Sequence, residues 1–340
     1  MGARTVMPAR YTRAPATCVL AAFALVALSA GCSDAREPVA PAADQPNGPG
    51  DAPIDARIAF ASTRDGPSYV YVATADGSMV KRLARGEQPA WSPDGQRIAF
   101  HWWSGGTFGN GTAEVHVIGV DGSGDRVIAQ GISPAWSPDG TKIVFNTVVG
   151  RPDGGVFVVN ANGSGLTRLL STEFEDPGKG DWLGWPAWSP DGRTIAFVRT
   201  NYEKPWQIYV MNADGSAPRL LTDHLAHDPS WSPDGSMLAF GSFRNIGSMN
   251  ANGTDFRLYA PAPAFDPDWS PDGGSLLFNA FSSPIGDEVS AVGSRVRIYV
   301  VDRENGAVRQ LIPNAVAPAL ANYWDHQAVW SRVDKGPWDY

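Results

Sequence analysis

The chain alternates short apolar runs with tight polar turns, and almost nowhere shows the three-to-four-residue apolar spacing of an amphipathic helix. One run recurs with its turn: PAWSPDGQRIAF (Pro89 to Phe100), PAWSPDGTKIVF (Pro134 to Phe145), PAWSPDGRTIAF (Pro186 to Phe197), PSWSPDGSMLAF (Pro229 to Phe240) and PDWSPDGGSLLF (Pro267 to Phe278). A decayed copy, Ala328-Val-Trp-Ser-Arg-Val-Asp, lies near the C-terminus. Trp91, Trp136, Trp188, Trp231, Trp269 and Trp330 stand 45, 52, 43, 38 and 61 residues apart, the spacing of four-stranded propeller blades.

Each unit continues with a β-branched or aromatic run such as Tyr69 to Val72 or Ile208 to Met211, then an Asx-Gly pair, then a short outer strand. The pairs Asp76-Gly77, Asp121-Gly122, Asn162-Gly163, Asp214-Gly215, Asn252-Gly253 and Asn305-Gly306 predict type I′ hairpins, whose two central residues need positive φ. Six strand sets therefore predict an all-β, six-bladed propeller of four-stranded blades over residues 57–331, with 332–340 as a tail. The N-terminal unit starts at Ile58 without a tryptophan segment. The C-terminal stretch around Trp330 is expected to supply that missing innermost strand and join the chain ends.

Packing accounts for most of the repeat. Ala90, Ala135, Ala187 and Ser230, just before the tryptophans, suit a crowded axis, and each indole suits the wedge between neighbouring blades. Asp94, Asp139, Asp191, Asp234 and Asp272 read as turn carboxylates that accept backbone N–H groups. One catalytic or calcium site would not need the same residue in every blade.

The WSPDG-x-x-IAF units, with IYVMNADGS and RLLT between Ile208 and Thr222, resemble the WD40-like repeat of the TolB propeller, a repeat also found in propellers attached to prolyl oligopeptidase and dipeptidyl peptidase domains. The resemblance covers about Arg57 to Ser331 and implies the six-bladed fold. TolB carries an α/β domain before its propeller and the peptidases an α/β-hydrolase domain after theirs. Neither flank is similar here, so the resemblance implies a scaffold and not an assembly role or peptidase activity.

Ahead of the repeats, Arg4, Arg10 and Arg13 precede an apolar run from Cys18 to Ala27, the pattern of a signal peptide over residues 1–31. Leu28-Ser-Ala-Gly-Cys32 is similar to a bacterial lipobox, with Ser29 where a leucine is usual, and implies lipidation at Cys32. Residues 32–56, rich in proline and alanine, are expected to form a tether. Removal of the leader takes the net charge from −8 to about −11, which argues against nucleic acid. The expected location is the bacterial cell envelope, lipid-anchored, at the outer membrane facing the periplasm if the cell has two membranes. Only Cys18 and Cys32 are cysteines, so no disulfide framework is available.

No G-x-S-x-G, H-E-x-x-H, P-loop or dinucleotide motif is present. Candidate chemistry lies three and four residues before each tryptophan, where the chain approaches the axis. There His227, Asp228, Asp266 and His326 form an acidic, imidazole-containing arc suited to a polar ligand, a divalent metal or a hydrated rim. Aromatic anchors are expected on loops: Trp102 and Trp103 in a segment joining the first two strands of a blade, Trp182 and Trp185 in a lengthened approach, and Trp324 before the last repeat. These residues predict a lipid-anchored binding or assembly module for an envelope protein, peptide or glycan, with no catalytic residues and no cofactor beyond a metal at the arc. The alternative is a metal-assisted lyase or hydrolase at the axial mouth.

Overall fold

A computed structural model describes residues 58–63, 65–75, 79–104, 112–147, 154–172, 181–201, 205–242, 245–259, 264–280, 297–311 and 325–330. Their regular elements are all strands, arranged as six four-stranded antiparallel sheets. The first sheet holds β1 (Ile58–Ser62), β2 (Tyr69–Ala73) and β3 (Val80–Arg85). The second holds β4 (Glu87–Trp91), β5 (Arg97–Trp103), β6 (Ala113–Gly119) and β7 (Arg126–Gln130), and the third β8 (Ile132–Trp136), β9 (Lys142–Asn146), β10 (Gly155–Asn160) and β11 (Thr167–Ser171). The fourth comprises β12 (Trp182–Trp188), β13 (Thr194–Thr200), β14 (Gln207–Asn212) and β15 (Arg219–Leu220). In the fifth are β16 (His227–Trp231), β17 (Met237–Gly241), β18 (Ile246–Asn250) and β19 (Arg257–Tyr259), and in the sixth β20 (Ala264–Trp269), β21 (Ser275–Ala280), β22 (Arg297–Asp302) and β23 (Val308–Gln310). The last strand, β24 (Asp325–Trp330), pairs antiparallel with β1, so the first sheet runs β24-β1-β2-β3.

The buried core is divided among the gaps between blades. One cluster joins Ile58, Phe60 and Tyr71 of the first blade to Leu277, Ile298 and Val300 of the sixth, and others join each successive blade pair. The phenylalanines of the repeat, Phe100, Phe145, Phe197, Phe240 and Phe278, are fully buried, worth about 1.5–3 kcal/mol each by area. Most face an aromatic partner across the sheet, as Phe145 faces Phe157 and Phe278 faces Tyr299. In the fifth blade Phe240 instead pairs with Gly247, and Phe256 leans over it with ring centroids 4.5 Å apart. That substitution explains how Ile246 to Met249, the least strand-like of the middle runs, still forms a buried strand. Trp231 and Trp269 donate their indole N–H to the carbonyls of Ala187 and Ser230 in the preceding blades, fixing two of the wedges.

The turns refine the sequence expectations. In every intact repeat the serine after the tryptophan donates to the turn aspartate, as Ser137 does to Asp139 at 2.6 Å, and that carboxylate also accepts a backbone N–H, here of Thr141 at 3.0 Å. Among the described residues the outer turns are not type I′, and Asp76-Gly77 lies outside those residues. Asp121 lacks positive φ and its carboxylate accepts the Ser123 N–H; of the pair only Gly122 enters the left-handed region, donating to the Gly119 carbonyl, and Gly124 does so two residues on. The side-chain bond favours the ordinary conformation at the Asx, leaving only its glycine to turn.

Candidate functional site

Each intact inner strand breaks its ladder at one place. The register shifts between Glu87 and Ala90, Ile132 and Ala135, Gly184 and Ala187, His227 and Ser230, and Phe265 and Asp268. Inside each shift lies a residue at positive φ: Gln88 (51°), Ser133 (53°), Trp185 (47°), Asp228 (49°) and Asp266 (50°). A proline follows every one. Proline has no N–H for the ladder, so the strand can bulge there without stranding a donor. For a residue as large as tryptophan the left-handed conformation costs about 1–3 kcal/mol, a strain typical of functional positions.

These five residues line one end of an axial cavity of about 480 Å³. Alanines, prolines and the repeat tryptophans make up most of its wall, and its charged lining residues among those described are Asp228, Asp266 and Asp268. Polar bonds tie the ring across blades. Ser133 donates to Gln88 at 2.8 Å, Ser230 to Asp268 at 2.7 Å, and the Asp266 N–H to Asp228 Oδ2 at 3.4 Å. His227 Nδ1 lies 2.7 Å from the same Asp228 oxygen, and the two side chains are only 8% and 11% exposed. His227 crosses from Gly241, where an added Cβ would meet the ring at 2.5 Å, so glycine is required there for the imidazole to lie flat.

An aromatic wall adjoins the acidic one. Trp185 packs against Trp182 and Trp206 with centroids 4.5 and 5.4 Å away, and His227 lies 6.1 Å from Trp185 and 5.2 Å from Trp206. Behind it is a buried ion pair. Arg199 meets Asp181 at 2.7 Å with the two side chains 2% and 0% exposed, Tyr209 accepts from Arg199 at 3.1 Å, and Asn201 donates to Asp181 at 2.8 Å. Asp181 immediately precedes Trp182, so the pair anchors the strand that carries both Trp182 and Trp185.

The predicted residues thus separate. His227, Asp228, Asp266, Trp182 and Trp185 come together at one side of the mouth. Trp102 and Trp103 instead lie in β5, because the ladder continues to Trp102↔Glu114 and Trp103↔Ala113. Trp103 is buried beside His101, and Trp102 packs into the blade interface with Arg85 above it. The segment after them joins the second and third strands of the blade, since the WSPDG turn already joins the first and second. Trp324 lies outside the described residues; the backbone of His326 pairs with Ala61, but its side chain is outside them too. Among the described residues no three His, Cys, Asp or Glu side chains are grouped to hold a metal. Sequence reasoning missed Trp206, Asn279 and the Arg199–Asp181 pair. Asn279 donates to Asp266 at 3.1 Å from the second strand, a place recognisable only once the register is known. Of the other histidines, His116 stacks on Phe100 and meets Asp125 at 3.0 Å, whereas His224 meets Asp223 at 2.9 Å and packs edge-on to Phe256.

Fold and axial cavity together define a six-bladed β-propeller. Residues 178–283, part of that propeller, match the family described as TolB beta propeller domain. TolB from Acinetobacter baumannii superposes with a TM-score of 0.63 at 18% identity, covering 82% of this chain and 67% of that one. A protein from Agrobacterium tumefaciens described as a TolB candidate gives 0.55 at 18% identity, covering 76% and 90%. An oligogalacturonate lyase in complex with manganese gives 0.51 at 19% identity, covering 78% and 76%. Identities this low speak to fold alone. No curated protein matches the sequence significantly.

Proposed function

We propose that this chain is an exported, lipid-anchored propeller that presents its axial mouth as a binding or assembly site for an envelope protein, peptide or glycan. The observation that carries the reading is the ring of five left-handed residues, Gln88, Ser133, Trp185, Asp228 and Asp266, opening on a cavity of about 480 Å³. Strain repeated at one level of five blades, with side chains that differ from blade to blade, suits recognition better than packing. Packing would have selected one residue type, as it did for the repeat tryptophans. The pairing of β24 with β1 is proposed to close the ring and hold the mouth rigid. Among the described residues no helix is long and apolar enough to cross a membrane, and the proposed attachment is the lipid on Cys32.

Two measurements test this reading. Labelled palmitate is expected to enter the wild-type protein and not Cys32→Ser; no incorporation into either, with both released in soluble form, removes the anchor. Partners crosslinked in the native envelope are expected to be lost in Trp185→Ala and retained in Leu258→Lys, on an exposed outer strand. The reverse pattern moves the site to the outer blade surface.

A further inference from the structure

We infer that the axial mouth selects a primary ammonium group carried on an apolar stem. This rests on the reading of that mouth as the ligand site and adds the chemistry of the ligand. Three carboxylates, Asp228, Asp266 and Asp268, line the cavity, and no lysine, arginine or histidine stands among its described lining residues. They are concentrated on β16 and β20, so the negative potential falls on one wall, focused by the alanine, proline and tryptophan lining elsewhere.

A second observation is independent of the charges. Two buried acceptors beside this wall have no donor: Asp228 Oδ1 and the Oδ1 of Asn279, a residue with 0% exposure. Asn279 uses its own N–H to hold Asp266, and Asp228 uses its other oxygen for His227 and the Asp266 amide. Asn279 does not itself line the cavity, so the acceptor on this wall that a group bearing several N–H donors would meet is Asp228 Oδ1.

The arrangement favours an organic cation over a bare metal ion. A divalent ion needs several ligands at about 2.0–2.6 Å, whereas these carboxylates sit at two different levels of two blades, and one of them is already engaged by Ser230. An alkylammonium needs only two or three acceptors. Its stem would lie against the apolar lining, and the Trp185 ring flanks the acidic wall, where a cation gains further from the π face.

Calorimetric titration of the full chain with 1,5-diaminopentane, and separately with N-acetyl-lysine methylamide, tests the inference against 1,5-pentanediol, the uncharged isostere of the diamine. Saturable binding of an amine but not of the diol is expected, weakened about tenfold or more by Asp228→Asn or Asp266→Asn, since each removes a charge-assisted bond. Asparagine tolerates the left-handed conformation, and a thermal unfolding midpoint for each variant checks the fold first. The two amines separate a free diamine from a lysine side chain as the source of the group. Equal binding of diamine and diol, or undiminished amine binding in both asparagine variants, overturns the inference. If the diol saturates the wild type but not Trp185→Leu while the amines do not bind, the cation is wrong and the mouth remains a ligand site. If none of the three compounds binds and envelope partners are still crosslinked through Trp185, the cation is again wrong and the mouth again stands; if those partners are also unaffected by Trp185→Ala, both readings fall.

Discussion

His227 and Asp228 are successive residues of one strand, yet their side chains meet, Nδ1 to Oδ2 at 2.7 Å. Neighbours in a regular strand point to opposite faces. The left-handed φ of 49° at Asp228 and the register shift that encloses it remove that restriction and let the two side chains meet. The contact therefore depends on backbone conformation as much as on side-chain identity. Asp228→Asn is expected to leave stability nearly unchanged, whereas Asp228→Val, β-branched and poorly tolerated at positive φ, should cost about 1–3 kcal/mol. Urea unfolding of the two variants measures the difference, and equal stabilities would show that the bulge relaxes freely.

The Arg199–Asp181 pair makes a second prediction. Both side chains are withdrawn from water, and each is the other's main compensation. Arg199→Ala leaves the Asp181 carboxylate buried with only Asn201 as a side-chain donor, and should destabilise the protein by about 3–5 kcal/mol. A double replacement by apolar residues, Arg199→Met with Asp181→Leu, should cost less than the single change, because no lone charge stays behind. A double variant as unstable as the sum of the two single variants would mean that the two residues are not energetically coupled, and would overturn this account of the pair.

Blade number, strand order within a blade and turn positions were legible because packing repeats them: tryptophan, Ser-Pro-Asp-Gly and a buried phenylalanine recur wherever neighbouring blades must fit. The axial position of the ring residues was legible by offset from the same tryptophans. What was not legible depends on pairing across strands. Trp102 and Trp103 looked like loop residues because glycines follow them, but their ladder partners Glu114 and Ala113 extend the strand through both. Trp206 joins the aromatic wall from a connection between strands, and Asn279 reaches Asp266 from a neighbouring strand; neither carries a local motif. The buried Arg199 sits in a run, Ala-Phe-Val-Arg-Thr, that differs from an exposed strand end only in where Asp181 lies, 18 residues earlier.

Acid stability gives a third prediction. The carboxyls of Asp139, Asp191 and Asp234 are held below the ordinary aspartate range, first by the hydroxyls of Ser137, Ser189 and Ser232 and then by backbone N–H groups of their turns. A depressed folded-state value means that the unfolded chain takes up protons first. The contribution is therefore complete above the unfolded aspartate value of about 3.9 and disappears as pH falls through the lower folded values. Ser137→Ala, Ser189→Ala and Ser232→Ala combined should flatten the loss of stability below about pH 4. Urea midpoints measured across that range check it, and an unchanged pH slope would assign the acid transition to other groups.

The fourth prediction concerns ring closure. Along β1, all five residues of Ile58–Ser62 are buried, and one side of that strand pairs with β24 through Ile58↔Trp330, Ala59↔Val329, Ala61↔His326 and Ser62↔Asp325. Truncation after Asn314 removes this partner, leaving unpaired backbone groups on an apolar strand at the join between the first and last blades. The cluster shared by those blades, Ile58, Phe60 and Tyr71 with Leu277 and Val300, would then open from one side. Stability should fall by far more than the roughly 0.5 kcal/mol of an ordinary surface change, and unfolding should broaden as the end blades separate from the rest. Calorimetric unfolding of the truncated and full chains decides the matter: an unchanged midpoint with equally sharp cooperativity would mean that the ring holds together without its last strand, and that the pairing of β24 with β1 does not close it.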